Sequence, residues 1–222
     1  MSVLKKRIVI IEDHPMVRDH LTLLFNKEPD MEVCGQADDA AGGVALLKRV
    51  QADLAIVDIT LKESSGLEFI KQLRSLSIQT PVLVLSMHEE SVYAQRALRA
   101  GAGGYITKNS PSDGVLLAAR DVLAGKVYLS PSMTAEVLQT LSTGRSTSAL
   151  TRSVSQLSDR EIAVLEMIGR GSNSRAIADT LGVGVPTVDT YRARIKEKMN
   201  LQNGFELVHF AIQWVNGREE TR

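Results

Sequence analysis

Apolar residues recur with two different periods along roughly the first 127 residues. Short β-branched runs stand at 7–11 (RIVII), 31–37 (MEVCGQA), 54–58 (LAIVD), 81–86 (PVLVLS) and 103–107 (GGYIT). Between them, segments 15–26, 39–50, 66–76, 91–100 and 111–124 carry apolar residues at helical spacing. The runs are too continuously apolar for half-exposed strands, and each is followed by a helix, which is the pattern of βαβ units around a buried parallel sheet. Five such units predict a doubly wound α/β domain over 5–127 with helices on both faces. From Lys126 the pattern changes. A short helix over 132–141 leads into a Ser/Thr-rich linker at 142–149, so 128–155 reads as a connection. No strand-like segment follows it. Four helices are expected at 158–169, 173–181, 185–199 and 204–215, forming an all-α domain over 156–216. Their starts carry cap or breaker chemistry: Ser158 with Glu161 as a capping box, Asn173, Pro186, and Asn203-Gly204.

Composition narrows the function classes. The 222 residues are 44% hydrophobic, as in an ordinary globular protein. No apolar run approaches the ~20 residues of a membrane span, and the patch Ile8–Ile11 is too short for a signal-peptide core. A single cysteine, Cys34, excludes an internal disulfide and a multi-cysteine zinc site; it reads as a small core residue in a cytoplasmic, reducing setting. Net charge is zero, 26 basic against 26 acidic, so charge matters only through its distribution. Residues 151–222 hold ten Lys/Arg and nine Asp/Glu, a net of +1, yet Arg192, Arg194, Lys196 and Lys198 fall within seven residues opposed by Glu197 alone.

Three acids sit at strand ends in the first domain: Glu12 and Asp13 after the first strand, Asp58 at the end of the third. A parallel sheet brings such ends side by side, where ligand chemistry gathers. Converging carboxylates repel, so they persist only with a proton or a cation between them, and oxygen ligands suit Mg²⁺. The Thr60 backbone carbonyl is a candidate further ligand. Ser86 closes the fourth strand with a hydroxyl and Lys108 follows the fifth with a cation. A carboxylate nucleophile, a metal, a hydroxyl and a lysine around one point suit phosphoryl transfer. Asp58, the lone acid on the central strand, is the best acceptor, with Glu12 and Asp13 holding the metal. Each residue alone has a plainer explanation, a helix cap or a solvated lysine; their coincidence at successive strand ends does not.

These residues resemble the receiver domain of two-component response regulators, a flavodoxin-like fold with a five-stranded sheet. Glu12, Asp13, Asp58, Ser86 and Lys108 each match a family position over about residues 5–127. The resemblance implies phosphorylation of Asp58 by a histidine kinase with Mg²⁺ as cofactor. It also implies a switch in which Tyr105 turns inward as Ser86 engages the phosphoryl group. Asn109 stands where a proline commonly follows the lysine.

In the second domain, Ile162, Leu165 and Ile168 make one apolar face, and Ile177, Ala178 and Leu181 another. Leu181-Gly182-Val183 forms a tight turn. The next helix buries Val188, Tyr191 in part and Ile195, and shows Thr187, Asp189, Thr190, Arg192, Arg194 and Lys196 on its other side. Such a helix can lie in a DNA major groove with its basic residues, Lys198 included, on phosphates; a three-helix packing domain with a solvated face is the plainer alternative. Residues 157–215 resemble the LuxR-type helix-turn-helix, or GerE domain, through Leu157, Arg160, Glu161, Val164, Leu165, Gly171, Asn173, Ile177, Ala178, Leu181, Thr187, Val188 and Lys198. A receiver joined to this domain is the NarL/FixJ architecture. Asp189 replaces a frequent lysine, Gly184 a capping serine, and Ala176 a glutamate. The family resemblance implies double-stranded DNA and RNA polymerase as partners. Leu207, Phe210, Ala211 and Trp214 share one face of the last helix, for which core packing is the default; the resemblance also implies a homodimer, in which this helix often forms the contact, so the same residues are candidate contacts.

Two rival functions also use parts of this pattern. A phosphatase of the haloacid dehalogenase type also uses a strand-end Asp nucleophile, but wants a second Asp where Thr60 stands. A protein-interaction module would bind no DNA. The reading adopted is a non-enzymatic transcription factor switched by phosphorylation.

Overall fold

The structure is a computed structural model; it describes residues 4–61, 64–87, 90–135, 154 and 156–219. The chain divides into two compact units, Met1–Gln139 and Thr140–Arg222.

The first unit contains β1 (Lys6–Ile11), α1 (Pro15–Lys27), β2 (Met31–Ala37), α2 (Ala40–Arg49), β3 (Leu54–Asp58) and a two-stranded ribbon, β4 (Thr60–Leu61) with β5 (Ser64–Ser65). Then follow α3 (Gly66–Ser75), β6 (Val82–Ser86), α4 (Glu90–Ala100), β7 (Gly104–Thr107) and α5 (Ser112–Leu123). Five parallel strands pair in the order β2-β1-β3-β6-β7. The continuous apolar strands have a direct physical cause: both sheet faces are covered. Ile8, Ile10, Leu54, Ile56, Leu83, Leu85 and Ile106 meet Leu21 and Phe25 of α1 and Val115, Ala118 and Ala119 of α5. Their alternates Val9, Ile11, Ala55, Val57, Val82 and Val84 are equally buried. On that side Gly43 of α2 packs close to Ile11 and to Phe69 of α3.

Cys34 is half-buried rather than core. β1 pairs Ile8 with Val33 and Val9 with Gly35, so Cys34 is the extra residue of a bulge on an edge strand. Burial raises its thiol pKa, with Arg7 opposing.

The β4–β5 ribbon was not legible in the hydrophobic pattern, and Gly66 makes it possible. A Cβ on Gly66 would come within 2.0 Å of the Asp58 carbonyl oxygen, while the Gly66 N–H donates to the Ile59 carbonyl at 2.7 Å. Any side chain here would push α3 off the end of β3. Gly66→Ala is expected to cost about 2–3 kcal/mol, at the upper end of overpacking penalties, read as a lowered urea midpoint. Unchanged stability would show that the loop after Asp58 yields freely.

Of the expected short helix 132–141, residues 132–135 are helical; 136–141 and the linker 142–149 lie outside the described residues.

The second unit is helical: α6 (Asp159–Gly169), α7 (Ser174–Leu181), α8 (Val185–Met199) and α9 (Gly204–Glu219). The capping box forms in full, with Ser158 N–H on Glu161 Oε2 at 2.7 Å and Glu161 N–H on Ser158 Oγ at 3.3 Å. Asn173 accepts from Ala176 N–H at 2.9 Å, and Asn203 accepts from Glu206 N–H at 2.9 Å. Gly182 ends α7 in the left-handed region at φ 65°, so the α7–α8 turn closes in three residues. Val188 and Ile195 carry α8 into the core, with Tyr191 half-buried. Among the described residues no helix is long and apolar enough to cross a membrane.

Candidate functional site

All five strands run parallel, so their carboxyl ends share one edge of the sheet, and the order reverses between β1 and β3. Ile11 pairs with Val57, Asp58 with Leu85, and Ser86 with Thr107. That register lines up Glu12 and Asp13 just past β1, Asp58 ending β3, Ser86 ending β6, and Lys108 just past β7. The five strand-end residues read from the sequence are thus brought to one edge. Tyr105 lies on β7 with its side chain fully buried.

The electrostatics are severe. Glu12 and Asp58 are almost wholly buried, at 1% and 3% exposed. The Lys108 ammonium lies 2.7 Å from Glu12 Oε2 and 2.9 Å from Asp58 Oδ2, a buried bridge between two carboxylates. Burial pushes the Asp58 carboxyl up to about 6, against the opposing pull of Lys108 and a Thr60 backbone hydrogen bond. Burial alone would depress Lys108, but Asp58 and Glu12 outweigh it and hold its pKa above the ordinary lysine value. The Lys108 N–H also donates to the Ser86 carbonyl at 2.8 Å, tying the ends of β6 and β7 together.

His14, which nothing in the hydrophobic pattern marks, belongs to this cluster. Its N–H donates to Glu12 Oε1 at 3.1 Å, and its Nδ1 lies 3.1 Å from the same oxygen, which favours the tautomer protonated at Nδ1. Nδ1 also approaches Asp13 Oδ1 to 2.7 Å without hydrogen-bond geometry, leaving that buried oxygen with no donor among the described residues. Ligand atoms of Glu12, Asp13, His14 and Asp58 all lie within 4.8 Å of one another. A hard divalent cation fits this donor set, because it would satisfy the orphaned Asp13 oxygen and neutralise carboxylates that a single lysine does not balance.

In the helical unit, Thr187, Asp189, Thr190 and Arg194 are exposed on α8, and Arg192 and Lys196 are partly so. α8 starts at Gly184 with no side-chain cap, as the missing serine implies. Lys198 is engaged: its ammonium lies 2.7 Å from Glu161 Oε2, joining α8 to the capping box of α6. Burial pushes that carboxyl up, but the hydrogen bond and charge of Lys198 together with the hydrogen bonds from Ser158 outweigh it and hold the carboxyl below its usual range.

The last helix turns its apolar stripe inward, the default for such a stripe. Leu207, Ala211 and Trp214 are buried and Phe210 is half-buried, so the stripe packs mainly into the core of its own domain. The reason is Gly169: a Cβ there would meet the Ala211 carbonyl at 2.4 Å, so α6 and α9 approach backbone to backbone and enclose those side chains. The outward residues are Phe205, 80% exposed and stacked on His209, and Ile212.

An α/β unit with a buried acid–lysine site at its strand ends, followed by a helix-turn-helix unit, defines a class: signalling receivers coupled to DNA-binding domains. Comparison with known proteins agrees over both units. Residues 8–120 match the response regulator receiver domain family, and 155–211 match the bacterial regulatory proteins of the luxR family. The oxygen regulatory protein NreC of Staphylococcus carnosus is 34% identical, over 93% of this chain and 97% of its own. The virulence-factor positive transcription regulator BvgA of Bordetella pertussis is also 34% identical, over 92% and 96%. A LuxR-family two-component response regulator from Aurantimonas sp. superposes with TM-score 0.58 at 30% identity, over 62% of this chain and 99% of that one. RcsB of Salmonella enterica serovar Typhimurium, solved bound to the rprA promoter, shares the fold with TM-score 0.60 at 20% identity, over 93% of this chain and 98% of its own. The chain belongs to the two-component response regulators with a receiver and a LuxR-type DNA-binding domain, a family of transcription regulators rather than enzymes.

Proposed function

We propose that Asp58 is the phospho-acceptor and that its phosphorylation controls dimerisation and sequence-specific binding of double-stranded DNA. The observation that carries this reading is the buried Glu12–Lys108–Asp58 bridge beside the orphaned Asp13 oxygen. Asp58 Oδ attacks the phosphorus of a phosphohistidine on a histidine kinase; the N–P bond breaks and an acyl phosphate forms. Glu12, Asp13, Asp58 and the Thr60 carbonyl would hold Mg²⁺, which when bound neutralises charge on the phosphoryl oxygens. Lys108, freed from Asp58 as its charge is covered, pairs with a phosphoryl oxygen. Ser86 donates its hydroxyl to another, and the Tyr105 ring, already buried on β7, packs against the repositioned Ser86. The domains act as 5–127, 128–155 and 156–216, and the location is cytoplasmic, where the kinase's phosphohistidine and DNA are met together.

The DNA contact is assigned to α8. Thr187, Asp189 and Thr190 stand nearest its N-terminus for base edges, and Arg192, Arg194 and Lys196 reach phosphates. Lys198 acts chiefly through Glu161, positioning α8. A second copy of the chain is assigned to the outer face of α9, through Phe205 and Ile212. Arg194→Ala is expected to weaken binding about equally on every DNA sequence and to lower the salt slope by about 1. An unaltered slope would remove Arg194 from the phosphate contact.

Anisotropy on a genomic fragment pool, with and without acetyl phosphate and Mg²⁺, tests the switch. Gain of binding on phosphorylation supports it; equal binding in all conditions leaves DNA binding and refutes phosphorylation control.

A further inference from the structure

The chain leaving α5 does not depart from the receiver at once. Tyr128 N–H donates to the Gly103 carbonyl at 3.1 Å, and the Tyr128 carbonyl accepts from Tyr105 N–H at 2.9 Å. Tyr128 thereby pairs in parallel with Gly104 at the open edge of β7, and its ring packs on the α1/α5 core. Gly104 is needed there, since a Cβ would meet the Tyr128 carbonyl at 2.9 Å. Two residues on, Ser130 N–H donates to Glu90 Oε1 at 2.7 Å. Ser130 then starts a helical turn, its Oγ accepting from Met133 N–H at 3.2 Å and its carbonyl from Thr134 N–H at 2.9 Å. Met133 is buried at 2% exposure.

This strap is therefore fastened at two points. One is the backbone of Tyr105. The other is the first residue of α4, which follows Ser86, the end of β6, by four positions. Both points belong to the elements that the phosphoryl group would move, and the strap is the chain that leads on to the DNA-binding unit.

We propose that Glu90 is a clasp on this strap, and that displacement of the α4 N-terminus on phosphorylation of Asp58 opens it and releases residues 130–135 beyond the Tyr128 anchor. The inference rests on the phosphorylation reading above. A carboxylate–amide hydrogen bond is strong at 2.7 Å and lost within an ångström or so, so a small shift of α4 has a two-state outcome. Release loosens the hold of the receiver on the chain that leads on to the DNA-binding unit, which changes how readily two recognition helices meet paired half-sites.

Hydrogen exchange on the full-length chain tests it, with acetyl phosphate and Mg²⁺ as phosphodonor and intact mass as the measure of phosphorylation. In wild type, the amides of Ser130, Met133 and Thr134 should exchange at least about tenfold faster after phosphorylation. Glu90→Ala should show that fast exchange already without phosphodonor, take up phosphate to the same extent, and lose most of its phosphorylation-dependent gain in DNA binding. Glu90→Gln, which keeps a neutral acceptor, should fall between. No gain in mass would refute the phosphorylation reading itself. Phosphorylated wild type with unchanged exchange at these amides, or Glu90→Ala with a full DNA-binding response, would overturn the clasp.

Discussion

Asp58→Asn is expected to abolish phosphodonor-stimulated DNA binding and, at the same time, to make the metal-free protein more stable at pH 7.5. The two effects have one cause. Asp58 is 3% exposed, and burial pushes its carboxyl up to about 6 from an ordinary value of 3.8. The folded state thus holds a proton that the unfolded chain has released between those values. Stability falls as pH rises from about 4 to about 6 and stays lower above it. Two pH units correspond to roughly 3 kcal/mol, an upper figure because Lys108 already offsets part of the charge. Asparagine keeps the shape without the charge, so the variant should lose most of this pH dependence and gain about 1–3 kcal/mol at pH 7.5. Mg²⁺ should stabilise wild type strongly and the variant weakly, because one of three carboxylates is gone. Thermal melts at pH 5 and 7.5, with EDTA or Mg²⁺, check this. A variant no more stable than wild type at pH 7.5 would mean that Asp58 bears no net burial cost. Retained phosphodonor stimulation would remove Asp58 from the switch.

That a function requires a destabilising group explains why the site was legible in sequence while parts of its surroundings were not. Five chemically demanding residues at strand ends, Glu12, Asp13, Asp58, Ser86 and Lys108, stand out because periodicity alone fixes where strands stop. Helix α8 was equally readable over Val185–Met199, since Pro186 opens it and Val188 and Ile195 set its buried face. The misses share a different origin. His14 joins the acidic cluster through the local path of a loop, for which hydrophobic period carries no information. Gly66 matters because Asp58's own carbonyl lies beneath it, a close approach that only coordinates reveal. The residue type of Cys34 points to the core, but a bulge shifts the edge strand by one residue. The Leu207–Trp214 stripe reads as core by default, yet an apolar stripe does not say which neighbour covers it. Gly169 decided that, by admitting α9 to backbone contact with α6.

Lys108→Ala should have the largest effect on stability. It leaves Glu12 and Asp58, both almost fully buried, with no ammonium between them. Breaking one partner out of a buried charge network typically costs about 3–5 kcal/mol, most of it the penalty on the charges left behind. The pH dependence identifies the mechanism. Lys108 holds its proton above the ordinary lysine range, so in wild type the bridge is intact through neutral pH and fails only in strong alkali. In the variant Asp58 has lost its stabilising cation, so its carboxyl moves up further and takes a proton as the pH falls. The deficit relative to wild type should therefore be greatest above pH 7 and shrink steadily toward pH 5. Mg²⁺ should recover much of it at pH 7.5, since a divalent cation neutralises the same carboxylates. Lys108→Arg should keep part of the stability but not the phosphorylation response, because a planar fork cannot follow the phosphoryl group as a point charge does. Urea titrations at pH 5 and 7.5 decide the matter. A pH-independent deficit would attribute the loss to the packing of the lysine stem instead of its charge, and a variant as stable as wild type in EDTA at pH 7.5 would refute the bridge as a structural element.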